Sequence, residues 1–177
     1  MDPIVSLLNP SSQLSPNSVG AFIVRAAKRL EVWSNSPREP NTLHPTWFVL
    51  QRPLAIDKLS CLESDSDPSG EVVEKCGIDG GVPPEYLIDG TWDIRSAIFS
   101  LGYTAWIMLC ADYPYPKGSV IETMTSRLKD PPIPIRSKRD DCPDSLANVV
   151  EKMMAPEPNA RYQNPKELLQ DMEKVTL

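Results

Sequence analysis

The sequence predicts a mainly helical domain, with one or two short strands, wrapped around a single helix that has no solvent-facing side. Three observations carry that prediction. The run AIFSLGYTAWIMLCA, Ala97 to Ala111, holds no charged residue, and a helix that is apolar on every face belongs in a protein interior. Other stretches repeat apolar residues at i, i+3, i+4 and i+7, the stripe of an amphipathic helix. Proline accounts for 19 of the 177 residues, about twice the ordinary ~5%, which reads as short helices joined by stiff connections.

In chain order, Ser15-Pro16 supplies a hydroxyl for an N-cap and a proline for the first helical position. Phe22, Ile23, Ala26, Leu30 and Trp33 follow at helical spacing, so a helix is predicted from about Pro16 to Ser34. A proline-rich loop, SNSPREPNTLHP, comes next. Trp47 to Leu50 and Leu54 to Ile56 are apolar bursts of strand length. The stretch from Ser60 to Gly81 is acidic, serine-rich and closed by glycines, a long loop. Beyond the charge-free run, Ser119 to Leu128 predicts a short helix. Pro143 to Met154 places Leu146, Val149, Val150, Met153 and Met154 on one stripe. Asn164-Pro165-Lys166-Glu167 is close to a capping box and opens a last helix carrying Leu168, Leu169, Met172 and Val175. The whole, residues 1–177, reads as a single domain.

Composition narrows the function. Eighteen Lys and Arg stand against 24 Asp and Glu, a net charge of −6, which opposes broad contact with nucleic acid or with an anionic membrane. The charge-free run is too short for a confident membrane span, and the opening MDPIVSLLNPSSQLSP has neither a basic n-region nor a long apolar h-region. Cys61, Cys76, Cys110 and Cys142 stand apart, and His44 is the single histidine. They make no zinc site of the usual spacing. Reduced, structural thiols in a cytoplasmic protein are expected, with no cofactor, no nucleic-acid partner and no membrane.

Three motifs resemble the C-terminal lobe of a protein kinase of the bacterial Ser/Thr family. Pro83-Pro84-Glu85 is similar to the Ala-Pro-Glu that ends the family's activation segment. DIRSAIFSLGYTAWIMLCADYPYP, Asp93 to Pro116, resembles the central F helix, written D-x-R-S-D-I-Y-S-L-G. VVEKMMAPEPNARYQNPKELLQDME, Val149 to Glu173, resembles the closing segment whose loop supplies a structural arginine, here Arg161. Together they span roughly half the chain. The resemblance implies helices D to I around a buried F helix, with 60–81 as a degenerate activation-segment loop. It also implies a buried ion pair between Glu85 and Arg161.

The same resemblance implies that catalysis has been lost. Phosphoryl transfer needs a phosphate-covering loop, a lysine, a catalytic aspartate and metal-holding residues. Neither GxGxxG nor a V-A-I-K-like strand lysine occurs in the sequence, so a C-lobe without an N-lobe is expected. His44-Pro45-Thr46 matches H-R-D with threonine in the catalytic position, while Phe48 replaces the usual lysine and Gln51 the metal-binding asparagine. Asp57-Lys58-Leu59 stands for D-F-G, leaving Asp57 as a weak candidate metal ligand, and His44 is assigned a structural role. Ala97 replaces the second aspartate of the F-helix pattern, which in the family caps that helix and fastens the catalytic loop.

The reading is therefore an inactive, pseudokinase-like C-lobe serving as a binding or regulatory module. Its partner would be another protein at the cleft face, where Trp47, Phe48 and Leu54 are assigned. One alternative is a fragment of an active Ser/Thr kinase whose N-lobe comes from another segment or chain. Another is an unrelated small helical interaction protein, which predicts no proximity between Glu85 and Arg161.

Overall fold

The computed structural model describes residues 13–34, 81–116 and 118–176. Among these, six α-helices follow one another: α1 (Pro16–Ser34), α2 (Pro84–Asp89), α3 (Ile94–Cys110), α4 (Val120–Lys129), α5 (Asp144–Met153) and α6 (Pro165–Met172). Single 3₁₀ turns at Ile135–Ser137 and Pro158–Ala160 precede α5 and α6. The fold is mainly α, with no strand among the described residues. The two short strands expected at Trp47 to Leu50 and Leu54 to Ile56 lie outside those residues.

Helix α3 is the axis of the body. Every residue from Ser96 to Cys110 is buried except Thr104, which is half-buried. Its neighbours are α1 on one side and α5 on another, while α6 packs on α1 and α5. The apolar stripes meet there: Val19, Phe22, Ile23, Ala26, Ala27 and Leu30 of α1, and Leu146, Val149, Val150 and Met153 of α5, are all buried. The side chain of Trp33 lies outside the described residues. Even the one polar atom of the Trp106 ring is satisfied, its indole N–H donating to the Ile133 carbonyl at 2.9 Å, as a fully buried indole requires. Helix α6 stops at Met172, so Val175 packs partly buried against the core from beyond the helix end.

The helix starts follow from local chemistry. Ser15 Oγ accepts the Ser18 N–H at 3.2 Å, Ser119 and Glu122 form a reciprocal box on α4, and Asn164 caps α6 by accepting the Glu167 N–H. For α3 the structure corrects the sequence reading of position 97. The cap is Asp93, whose Oδ1 accepts the Arg95 N–H at 2.7 Å, while the Asp93 N–H donates to Ser96 Oγ at 3.1 Å. The helix thus begins three residues before the charge-free run, and Ala97 is a buried residue inside its first turn rather than a missing cap.

Gly102 permits the close crossing of α3 and α5. A Cβ there would stand 2.7 Å from Met153 Cβ and 2.9 Å from Met154 Cγ, inside any real carbon contact. Gly102→Ala is therefore expected to destabilise by about 1–3 kcal/mol through overpacking, despite alanine's better helix propensity. Chemical denaturation checks this; a stabilised variant would mean that the two helices separate freely.

No helix of the described residues is long and apolar enough to cross a membrane.

Candidate functional site

The residues singled out by sequence converge on a five-residue strap, Gly81 to Glu85, which leads into α2. Side chains from three separate parts of the chain hold it. Ser100 of α3 donates its hydroxyl to the Gly81 carbonyl at 2.8 Å. Gly81 has a φ of +79°, and a Cβ there would press on the Tyr103 ring at 3.1 Å, so both the backbone and the space call for glycine. Arg127 of α4 donates through Nη1 to the Val82 carbonyl at 2.9 Å.

At the far end, Glu85 and Arg161 meet in a two-pronged ion pair. Nη1 and Nη2 of Arg161 lie 2.8 Å from Oε1 and Oε2 of Glu85. The arginine side chain has no exposed surface and the glutamate only 13%. Seventy-six residues of sequence separate the two. Arg161 also donates to the carbonyls of Ala155 (2.7 Å), Pro156 (2.9 Å) and Arg95 (3.3 Å), and its guanidinium carbon sits 4.7 Å from the Phe99 ring centre. A buried cation is tolerable only when its donors are used in this way. Ser96 completes the group, donating its hydroxyl to Glu85 Oε1 at 2.7 Å while accepting from Asp93. The α3 cap and the strap clamp are therefore one network.

Its outer edge is Asp93 with Arg95, 2.6 Å apart, and Arg95 reaches on to Asn159 Oδ1. Burial works to raise the Asp93 carboxyl, but the hydrogen bonds and charge of Arg95 outweigh it and hold the group below its ordinary value.

Glu85 and Arg161 are thus brought together, and Ala97 lies one residue beyond Ser96. His44, Thr46, Phe48, Gln51, Asp57, Cys61 and Cys76 lie outside the described residues, as does all of the expected 60–81 loop except Gly81. Three members of the network were not read from sequence. Ser96 carried a signal, as the third residue after Asp93 in a capping box. Ser100 and Arg127 carried none: a serine in an apolar helix and a basic residue in an amphipathic one look ordinary until the strap lies across them.

Chemically this is a clamp. Its polar atoms are spent on one another and on backbone carbonyls, the buried Nε of Arg127 excepted. Among the described residues no three His, Cys, Asp or Glu side chains gather as a metal-holding group. The thiols of Cys110 and Cys142 are buried; burial pushes Cys110 up to about 12 and raises Cys142 as well, which keeps both protonated and unreactive near neutral pH.

No family model matches the chain. Curated proteins do. The probable serine/threonine-protein kinase CPE1738 of Clostridium perfringens is 30% identical over 87 residues, 49% of this chain and 13% of that protein. The serine/threonine-protein kinase PknB of Mycolicibacterium smegmatis is 29% identical over 92 residues, and PknB of Mycobacterium tuberculosis 28% identical over 92 residues; each match covers 52% of this chain and 15% of the relative. The matched span is thus a small part of these relatives' length. A strap carrying Glu85, an arginine 76 residues later that grips it, and a fully buried central helix agree with that likeness, and an unrelated helical protein was expected to show no such contact. Over about half its length this chain is similar to bacterial serine/threonine protein kinases, and its described residues form a mainly helical body that is kinase-C-lobe-like.

Proposed function

We propose that this kinase-like C-lobe is a cytoplasmic binding or regulatory module that does not transfer phosphate. The observation that carries the reading is a division within the chain. The scaffold contacts are complete, from the Ser96–Glu85–Arg161 clamp to the buried α3. The catalytic-loop sequence His44-Pro45-Thr46 has no carboxylate where the resemblance puts the base. Threonine's hydroxyl stays protonated near neutral pH, so it accepts no proton from a substrate alcohol. Asp57 is the single carboxylate left at the assigned metal positions, with Gln51 in place of the asparagine. One carboxylate without a second protein ligand holds magnesium weakly.

The partner in this reading is another protein, met through the face to which the resemblance assigns Trp47, Phe48 and Leu54, apolar side chains of a kind that favours association. The net charge of −6 disfavours nucleic acid and anionic lipid. Free, buried Cys110 and Cys142 suit a reducing compartment.

A second reading, a fragment of an active kinase completed by another segment or chain, draws on the relatives' names and on their much greater length. A transfer assay with radiolabelled ATP, magnesium and a generic Ser/Thr substrate separates the two. The proposal expects no label above background. Label that disappears in Asp57→Ala would overturn it in favour of the active fragment.

A further inference from the structure

We propose that the strap, α2 and α4 open and close as one unit, with Arg127 as the pin that joins them. Arg127 lies on the inner side of α4 and is 1% exposed. Its guanidinium carbon stands 5.1 Å from the Tyr103 ring centre and 5.6 Å from that of Tyr115, and Nη1 holds the Val82 carbonyl. No carboxylate among the described residues pairs with it, and its buried Nε finds no hydrogen-bond acceptor. A desolvated cation with one carbonyl and two ring faces is a directional link with little surplus stability.

The rest of α4 adds little anchorage. Ile121 is 76% exposed and Leu128 37%, and among the described residues the helix that α4 meets most is α2, itself six residues long with Ile88 exposed. The body helices α1, α3, α5 and α6 instead share a continuous apolar core. Stability is therefore divided: a deep body, and a shallow layer in which α4 touches the strap through Arg127 and touches α2 directly. Elements linked in this way open together at lower free energy than the core. Opening the layer also parts the Ser100–Gly81 bond and the Glu85–Arg161 pair, but it does so by exposing both charges to water, which costs far less than stranding one of them in the interior.

Native-state hydrogen exchange on the full chain tests this. Ser119→Ala removes the α4 cap, in which Ser119 Oγ accepts the Glu122 N–H. Ser119 has no contact with the strap among its hydrogen bonds. Loss of such a cap should speed exchange in α4 by about fivefold. The proposal expects the same factor at Leu87 and Gly90, the α2 amides bonded to Pro83 and Tyr86 carbonyls, and no change in α3 or α5. Adding Arg127→Met should confine the acceleration to 120–129. Acceleration restricted to α4 in the otherwise unaltered protein overturns the proposal, as does equal acceleration of α3 and α5 or coupling that survives Arg127→Met. Should Arg127→Met fail to fold, the Ser119→Ala comparison decides alone.

Discussion

Arg161→Ala is expected to destabilise the protein by about 3–5 kcal/mol, the cost of stranding one charge of a buried pair. Glu85 would be left partly buried, and the carbonyls of Ala155 and Pro156 would lose their donor as well. Glu85→Ala should cost a comparable amount, since it leaves a guanidinium with no exposed surface and no counter-charge. The two losses are not independent: the double variant has no orphaned charge, so its loss should fall clearly short of the sum. Urea denaturation of the four proteins of this cycle supplies the measurement. Additive losses would show that the 2.8 Å contacts carry no coupling. Arg161→Lys should recover little, because an ammonium cannot make the two-pronged contact and serve three further carbonyls.

Leu101→Ala is expected to cost about 2–5 kcal/mol, as a cavity in the centre of the body. Leu101 has no exposed surface, and Ile98, Ala105 and Leu109 of the same helix are equally enclosed. The helix would keep its alanine-tolerant backbone, so the loss measures packing. A change below about 0.5 kcal/mol would place α3 at the periphery instead.

The parts of this fold that were legible in sequence are those where one physical signal dominates. The charge-free run from Ala97 marks α3 because no other location accepts a helix without a polar side. The stripe from Leu146 to Met153 marks α5 by its period, and Ser15, Ser119 and Asn164 mark three starts by their oxygens. Where two signals competed, the reading slipped. The family pattern put the cap of α3 at position 97, where this chain has alanine; yet Asp93 and Ser96 form the cap four residues and one residue earlier. Helix α2 is six residues long, too short to show a period, and its single hint was Pro84 at the first position.

The clamp was legible at both ends, through motif resemblance rather than through spacing. Nothing in sequence separation brings Glu85 to Arg161. Arg127 was invisible because burial of a basic side chain depends on the two tyrosines that flank it, Tyr103 and Tyr115, and those arrive from other elements. The assigned catalytic-loop positions, His44 to Gln51 and Asp57, lie outside the described residues, so their reading rests on the residue types.

We propose that a kinase-like scaffold persists here without a working phosphotransfer site. The most direct test is a titration of magnesium-ATP followed by the protein's melting temperature, since a ligand that binds the folded state alone stabilises it by RT ln(1 + L/Kd), L being its free concentration, and so raises the melting temperature once L passes Kd. The account predicts no saturable rise as ATP reaches millimolar concentration. A saturable rise at sub-millimolar ATP, dependent on magnesium and lost in Asp57→Ala, would contradict it.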